Sequence, residues 1–374
     1  MRILYVAPRY HTNQRPIMKA MCEHHHEVFF FSQYAADNDD YVAVMPEIIG
    51  YSWLFNLYDT INKKWIHPNT ESAINKRLIY GFPPAIKLAK KLKRVNPELV
   101  IIRERSLYSI FTTFLCRCFH YKTILYNQSP LYIIPKSDMK HKIVNKLTPT
   151  IRMTPVRGKL ESGMVLDPNA VFVPFVMEIE KKVEEREYLK NGVLHIFAVG
   201  KYEARKNLQM LVEAVENIDA GIPVYLTIAG EVESKENHEL YKKISDYISD
   251  RHLTNIKLLS NLKREEMKEQ YAECDLFVIP STREPASISQ LEAMAFSVPA
   301  ICSDTNGTAC YIEDGYNGYR FKDNDKKSLK ECIEIFANSP NRVSEMGKNA
   351  ADYLDKYCQY ENYFSGITEC MKRL

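Results

Sequence analysis

Short apolar runs alternate with longer amphipathic segments through the second half of the chain. The runs are of strand length, and the segments between them have the composition and spacing of helices. Strands are predicted at residues 194–199, 224–229, 256–259 and 275–279, and helices at residues 207–217, 239–248 and 265–273. Regular alternation of strand and helix predicts a doubly wound parallel sheet.

The first half shows the same alternation less regularly. Strands are predicted at residues 2–7, 26–31, 98–103, 122–126 and 170–175, and helices at residues 16–23 and 85–95. A charged segment at residues 178–190 is the expected linker. Since 374 residues exceed one ordinary core, we expect two Rossmann-like α/β domains facing across a cleft.

Composition excludes several classes of protein. An apolar share of 45% and a charged share of 26% are those of a soluble globular protein. The nine cysteines include no Cys-x-x-Cys pair, which argues against a zinc site or a disulfide scaffold. The N-terminus has no secretory apolar region, and no run reaches membrane-spanning length. A cytoplasmic location is expected.

Charge is distributed unevenly between the halves. Residues 1–180 carry 24 Lys and Arg against 15 Asp and Glu, whereas the rest of the chain is net acidic. Residues 51–94 interleave aromatic and basic residues, which suits an anionic membrane surface or a lipid-linked acceptor. A Lys-rich outer helix at residues 85–95 over an aromatic core is an equal alternative. No nucleic-acid motif accompanies the charge, so nucleic acid is not an expected partner.

The stretch at residues 281–295 reads as a loop and helix that follow a buried strand. Glu284 lies in the loop, and Glu292 lies eight positions later in the helix. Such a loop borders the ligand crevice of an open α/β sheet, where carboxylates can accept hydrogen bonds from sugar or ribose hydroxyls. The alternative is a capping box, with Ser289 paired to Glu292 or Ser287 to Gln290.

A second loop, at residues 200–208, joins a strand of the same predicted sheet to a helix. Asn207 is a credible N-cap, and Lys201 and Lys206 stand where a helix N-terminus attracts anions. One lysine in a loop is usually solvated. Two phosphate-type loops on one sheet favour a binding site.

Together these motifs resemble those of the retaining glycosyltransferases of the GT-B fold, in family 4 or glycosyl transferases group 1. That family includes glycogen synthases and bacterial cell-surface mannosyl- and glucosyltransferases. The resemblance rests on the motifs G-K-x4-K-N and E-x7-E, the Asp314–Gly318 turn and, more weakly, His26-Glu27-Val28. It covers residues 194–322 well.

The resemblance implies a role for each matching residue. Glu284 would contact hydroxyls of the donor sugar, and Glu292 would bind the nucleotide ribose. Lys206 would bind the donor diphosphate, and Lys201 stands where many members have arginine. The remaining donor-site residues would be Gly200 and Arg205, with the backbone N–H groups of Ala286, Ser287 and Ile288.

The chemistry agrees with these roles. Breaking a glycosyl phosphate bond places negative charge on the leaving diphosphate, which fixed positive groups stabilise. In the family, the leaving phosphate also helps to take the acceptor proton, so no separate base is needed. Cationic side chains and a helix N-terminus can replace a metal ion.

The first half departs from the family pattern at two places. Residues 9–14 replace a Gly-Gly loop, and residues 127–129 replace a turn that often carries histidine. We therefore expect contacts to the donor sugar or the acceptor from Asn13 and Gln128, and from Arg103 at a strand end.

Two Asp-Asn-Asp tripeptides, at residues 37–39 and 323–325, match the D-x-D metal motif of another glycosyltransferase fold. Both lie in polar turns, and the second opens a Lys-rich helix. No essential metal or other cofactor is predicted.

These observations predict a metal-independent hexosyltransferase of cell-surface polysaccharide synthesis. Its donor would be a nucleotide-diphosphate sugar, and its acceptor a glycan or a lipid-linked glycan. Residues 1–180 would bind the acceptor and residues 181–356 the donor, with the last helix, residues 357–374, packing back on the first domain as in relatives. The alternatives are a nucleotide-sugar epimerase of the same fold and a non-catalytic sugar-binding assembly subunit.

Overall fold

The computed structural model describes residues 1–35, 41, 43–63, 77–103, 106–134, 146–159 and 164–374. The chain forms two compact units. The first combines the described parts of Met1–Pro155 with Met164–Val176 and Tyr360–Leu374, and the second combines residues 156–159 with Met177–Gln359. The chain passes from the first unit into the second after Pro155 and again after Val176, whereas the sequence predicted one boundary, after residue 180.

The first unit is built on a seven-stranded parallel sheet in the order β3-β2-β1-β4-β5-β6-β7. Its strands are β1 (Arg2–Ala7), β2 (Glu27–Ser32), β3 (Glu47–Ile48), β4 (Leu99–Arg103), β5 (Lys122–Tyr126), β6 (Arg152–Thr154) and β7 (Ala170–Phe172). Its helices are α1 (Arg15–Glu23), α2 (Trp53–Lys63), α3 (Ala85–Val95) and α4 (Leu107–Cys118), with α11 (Tyr360–Lys372) from the C-terminus.

Helix α11 is part of the core of the first unit. Tyr363, Ile367 and Cys370 are buried on one side of the helix, and the hydroxyls of Tyr5 and Tyr363 lie 3.1 Å apart. Gly366 permits the close approach, because a Cβ there would stand 2.8 Å from Cγ2 of Val173. The spacing of the buried residues follows the helical period, so one stripe of α11 completes the apolar layer over the sheet.

The second unit has a six-stranded parallel sheet in the order β10-β9-β8-β11-β12-β13. Its strands are β8 (Leu194–Val199), β9 (Val224–Gly230), β10 (Ile256–Ser260), β11 (Leu276–Ile279), β12 (Ala300–Ser303) and β13 (Gly318–Phe321). Its helices are α5 (Leu208–Glu216), α6 (Lys235–Asp250), α7 (Arg264–Glu273), α8 (Ile288–Ala295), α9 (Lys326–Asn338) and α10 (Asn341–Tyr357).

The predicted fold class is confirmed, since both sheets are parallel and carry helices between their strands. The strand order reverses between β1 and β4 in the first unit and between β8 and β11 in the second. Ligands of open α/β sheets bind beside the carboxyl ends of the strands at such a switch point. Each unit therefore has one favoured position for a site.

The predicted N-cap at Asn207 is corrected by the backbone. Asn207 precedes α5 but has a φ of 52°, and its side chain makes no capping hydrogen bond. Its amide instead donates to Oδ1 of Asn324 at 3.3 Å. The residue closes a short 3₁₀ turn, Ala204–Lys206, in the left-handed conformation that asparagine tolerates.

Candidate functional site

A charged cluster, which we define as Glu284 with Lys206 and Arg205, lies at the switch point of the second unit. Lys206 and Arg205 follow β8, and Glu284 follows the adjacent strand β11. Lys206 Nζ donates to Oε2 of Glu284 at 2.7 Å, and the Arg205 guanidinium donates to the same oxygen. Glu284 is only 8% exposed, so its carboxylate is neutralised inside the protein by two cations.

Hydrogen bonds to backbone carbonyl groups hold the loops of the charged cluster in place. The N–H of Thr282 donates to the carbonyl oxygen of Arg205 at 3.0 Å, and the hydroxyl of Ser303 donates to the carbonyl of Ser281 at 2.7 Å. Three adjacent strands, β8, β11 and β12, thus support the cluster from below. These supporting hydrogen bonds hold the side chains of the two loops in position.

Two glycines make room for the charged cluster. A Cβ on Gly307 would stand 1.7 Å from the carbonyl oxygen of Pro285, and the N–H of Gly307 donates to the carbonyl of Glu284 at 2.8 Å. A Cβ on Gly200 would lie 3.1 Å from Cδ of Lys206. Gly200 was predicted in the site but Gly307 was not, although Asn-Gly at residues 306–307 is a turn signal.

Lys201 lies away from Glu284. Its ammonium forms ion pairs with Glu231 at 2.7 Å and Glu233 at 3.7 Å. Burial lowers the pKa of Lys201, but the hydrogen bond and charge of Glu231, with Glu233, outweigh it, so the pKa is raised. The structure therefore brings Lys206 and Arg205 to Glu284, and directs Lys201 to a different acidic pair.

Glu292 is held by a tyrosine rather than by a capping box. The hydroxyl of Tyr271 donates to Oε2 of Glu292 at 2.9 Å, and the Tyr271 ring is buried against Phe197 and Phe277. Burial raises the pKa of Glu292, which the Tyr271 hydrogen bond partly opposes, and burial raises the pKa of Tyr271 well above its usual value. Tyr271 is a site residue that the sequence did not single out.

The start of α8 contains no capping box of either predicted kind. Ser287 occupies the N-cap position without a side-chain capping bond, and its hydroxyl lies 3.0 Å from that of Ser289. The Gln290 side chain does not cap the helix; its Oε1 accepts a hydrogen bond from the Thr308 hydroxyl at 2.9 Å. Ala286, Ser287 and Ile288 thus lead from the Glu284 loop into the positive end of an eight-residue helix.

In the first unit, the three remaining predicted residues converge on Tyr126 at the end of β5. The amides of Asn13 and Gln128 each lie 3.5 Å from the Tyr126 hydroxyl, and the Arg103 guanidinium lies 5.6 Å from the ring centre. We call these four residues the tyrosine cluster. Three of them, Asn13, Arg103 and Tyr126, line a cavity of about 20 Å³ near the ends of β1 and β4, which has room for about one water molecule.

The loop before α1 adds a neutral histidine beside the tyrosine cluster. Burial and the nearby charges of Arg103 and Arg9 lower the pKa of His11 to about 2. Its backbone N–H donates to Oε1 of Gln14 at 2.9 Å. The imidazole of His11 is therefore uncharged. Arg103 is the positively charged residue among those predicted to contact the donor sugar or the acceptor.

A buried arginine organises the turn that carries Gln128. Arg152 and Asp167 form an ion pair at 2.9 Å, with each side chain 3% exposed. The same guanidinium donates to the carbonyl oxygens of Ser129, Pro130 and Ile133 at 2.9 to 3.1 Å. Arg152 lies on β6, a strand that the sequence did not predict, and its role depends on contacts at least 15 positions away.

The two candidate metal motifs differ in what can be said of them. Residues 37–39 lie outside the described part of the chain. At residues 323–325, Asp325 accepts a hydrogen bond from the N–H of Ser328 at 3.0 Å and caps α9. Among the residues that the structure describes, no three His, Cys, Asp or Glu side chains are grouped to hold a metal ion.

Within the described part of the chain, no helix has both the length and the apolarity to cross a bilayer.

Comparison with known proteins identifies the second unit. Residues 180–353 match the family model of glycosyl transferases group 1. An uncharacterized glycosyltransferase of Methanocaldococcus jannaschii is 26% identical over 176 residues, 47% of each chain. A capsular polysaccharide biosynthesis glycosyltransferase, CapM of Staphylococcus aureus, is 24% identical over 213 residues, 57% of this chain and 53% of CapM. The chain thus spans about half the length of the relatives it matches.

The whole chain is similar in fold to solved structures. One is the Anabaena protein HepE in complex with UDP and glucose, with a TM-score of 0.69 over all of both chains at 12% identity. The solved structures that this chain resembles in fold are GT-B glycosyltransferases. The predicted resemblance to glycosyl transferases group 1 is confirmed: residues 180–353 match the model of that family, and the chain has the GT-B fold.

Proposed function

We propose that this protein is a retaining, metal-independent glycosyltransferase of family 4 that uses a nucleotide-diphosphate hexose as its donor. The observation that carries the proposal is the charged cluster. A buried carboxylate shared by two cations stands at a sheet's switch point, where nucleotides bind in this class of fold. Lys206 and Arg205 would bind the diphosphate, and Glu284 would accept hydrogen bonds from the sugar hydroxyls.

The charged cluster supports the bond-breaking step. When the bond between the sugar C1 and the diphosphate oxygen breaks, the electron pair stays on the diphosphate. Lys206, Arg205 and the N-terminus of α8 would then stabilise the added negative charge. Because these cations are fixed by Glu284 before a donor arrives, little reorganisation is needed during the reaction.

The acceptor hydroxyl would attack the same face of the sugar that the diphosphate leaves. Its proton would pass to an oxygen of the leaving phosphate, and retention of configuration follows. No separate base is then required, in agreement with the roles that the family resemblance implies. Glu292, oriented by Tyr271, would accept hydrogen bonds from the ribose hydroxyls.

The acceptor side is proposed from chemistry and from relatives together. The tyrosine cluster offers amide, hydroxyl and guanidinium groups of the kind that bind sugar hydroxyls. CapM is named for capsular polysaccharide biosynthesis, and HepE was solved with UDP and glucose. We therefore propose a glycan or lipid-linked glycan acceptor in cell-surface polysaccharide synthesis.

The test is a panel of UDP-, GDP-, ADP- and dTDP-hexoses incubated with the purified protein, with and without EDTA. Mass spectrometry should detect a nucleoside diphosphate released from one donor, at a rate that EDTA leaves unchanged. Lys206→Ala should lower this release by about 100-fold or more, whereas Lys327→Ala, which removes an exposed lysine on α9, should leave it unchanged. Conversion of the sugar without nucleotide release would indicate an epimerase. Binding of a donor without turnover, even with added glycan acceptors, would indicate a sugar-binding subunit.

A further inference from the structure

Helix α2 presents an apolar surface to solvent. Trp53, Leu54, Leu57, Tyr58 and Ile61 are between 52% and 72% exposed. At about 100° per residue these positions fall within roughly 140° of the helix circumference, so they form one stripe. On an ordinary protein surface exposed apolar residues are scattered singly, whereas here five large ones form one contiguous patch.

The helix is fixed to the first unit by its opposite side. Phe55 packs against Tyr51 with ring centres 5.1 Å apart, and Asp59 pairs with Arg77 at 2.9 Å. The N–H of Ser52 donates to the carbonyl of Phe82 at 2.7 Å. The apolar stripe therefore points away from the unit on a helix whose own position is set by the fold.

Helix α3, next to α2 in the first unit, is basic, and one of its cations, Lys91, pairs with Glu47. Helix α3 begins three residues after Phe82 and carries five cations and no acid, namely Lys87, Lys90, Lys91, Lys93 and Arg94. Lys87 is tied to the segment before α2, because its ammonium donates to the carbonyls of Ile48 and Ile49 at 3.0 and 2.8 Å. A partner that covers this region would be apolar at α2 and negatively charged at α3.

We propose that α2 and α3 dock the protein on an anionic phospholipid bilayer. Tryptophan and tyrosine prefer the boundary between acyl chains and headgroups, and leucine and isoleucine insert just below it. Lysines and arginines near the surface of anionic lipids add attraction that salt weakens. The charge pattern favours this occupant over a second copy of the chain, which would bring the same basic helix to a basic surface. This surface lies outside the charged cluster and goes beyond the proposed transfer reaction.

The test uses Trp53 as its own reporter. The chain has two tryptophans, so Trp65→Phe leaves Trp53 alone. Vesicles of phosphatidylcholine with phosphatidylglycerol should shift the Trp53 emission to the blue and sediment the protein, and high salt should reduce both effects. Vesicles of phosphatidylcholine alone should bind at least about tenfold less.

Matched variants distinguish vesicle binding through the apolar stripe from non-specific binding through other exposed apolar residues. Leu57→Ser with Tyr58→Ser should lower binding to the anionic vesicles by about tenfold or more, whereas Val165→Ser, another exposed apolar residue of the first unit, should leave it unchanged. Lys90→Glu with Arg94→Glu should weaken binding, and Lys122→Glu on β5 should do so less.

Three results would overturn the proposal. They are absence of binding to anionic vesicles, equal binding to neutral vesicles, and a concentration-dependent dimer that Leu57→Ser dissociates. Vesicle binding needs neither donor nor acceptor, so its failure is distinct from failure of donor release in the nucleotide-sugar panel.

Discussion

The switch points of the two sheets differ in how their polar groups are satisfied. In the second unit, Glu284 is neutralised by Lys206 and Arg205 through short contacts, and the loops are tied to each other. In the first unit, the amides of Asn13 and Gln128 stand at the 3.5 Å limit of hydrogen bonding from Tyr126. The arrangement in the second unit suits a fixed negative charge such as a diphosphate. The arrangement in the first unit, with loosely bonded amides and a tyrosine hydroxyl beside the Arg103 guanidinium, suits hydroxyl groups that would improve its hydrogen bonds on binding.

The largest expected effect comes from removing a cation of the charged cluster. Lys206→Ala should lower kcat for donor release by about 100- to 1,000-fold, because the leaving diphosphate loses a fixed positive group. Steady-state kinetics with the donor selected by the panel measures this, with Lys327→Ala as the control. Full activity of Lys206→Ala would show that Lys206 does not bind the leaving diphosphate.

A backbone substitution should have the next largest effect. Gly307→Ala places a Cβ 1.7 Å from the carbonyl oxygen of Pro285, so the Glu284 loop must move. Since small misplacements of a positioned group are costly, donor release should fall by about tenfold to 100-fold. Gly221→Ala, where the added Cβ meets its nearest neighbour at 3.4 Å, should keep its activity. Equal activity of the two variants would show that the loop position is unimportant.

The Tyr271 hydroxyl should affect donor binding and its pH dependence. Tyr271→Phe should raise the donor KM by about tenfold with little change in kcat, because Glu292 loses the bond that orients it. Tyr225→Phe, which removes the hydroxyl of an exposed tyrosine in the same unit, is the matched control and should leave the KM unchanged. The same donor KM in both variants would argue against an orienting role for Tyr271.

The sign of the pH effect follows from the raised pKa of Glu292. Glu292 must be ionised to accept two ribose hydroxyl bonds, so the donor KM should rise as pH falls, starting above the pH at which an ordinary glutamate protonates. Tyr271→Phe removes a bond to the carboxylate and should move this rise to higher pH. Glu292→Gln should flatten the profile. A wild-type KM that stays constant through this range would argue against a ribose contact.

The smallest effect is expected in the tyrosine cluster. Tyr126→Phe removes one neutral hydroxyl and should raise the acceptor KM by about threefold, while donor hydrolysis without acceptor stays unchanged. Kinetics with a transferable glycan measures both quantities in one preparation. A loss of donor hydrolysis as large as that of Lys206→Ala would erase the distinction between the two regions.

Alternation of strands and helices was enough to predict the two parallel sheets and to place the loops of Glu284 and Lys206 on one of them. Both residues follow predicted strands, and loops at the carboxyl ends of neighbouring strands meet. The choice of Arg205 rather than Lys201 as the second cation could not be predicted, because both are long side chains in one loop. Their directions depend on Glu231 and Glu233, which follow another strand.

Other features depended on contacts distant in sequence. Tyr271 meets Glu292 across 21 positions, and Gly307 meets Pro285 between two loops. Tyr126 ends a buried strand, where an aromatic residue is ordinarily part of the core. Asn207 has a residue type favoured at N-caps, yet the preceding 3₁₀ turn forces it into the left-handed region. Local pattern predicted the loops that bear the site, and tertiary packing selected the side chains.

The most direct test of the charged cluster is calorimetric titration with the nucleoside diphosphate that the donor panel selects. We predict that Lys206→Ala weakens its binding by about tenfold or more, and that Lys327→Ala and Tyr126→Phe leave it unchanged. Unchanged binding to Lys206→Ala, or an equal loss in Tyr126→Phe, would contradict the assignment of the diphosphate to the charged cluster.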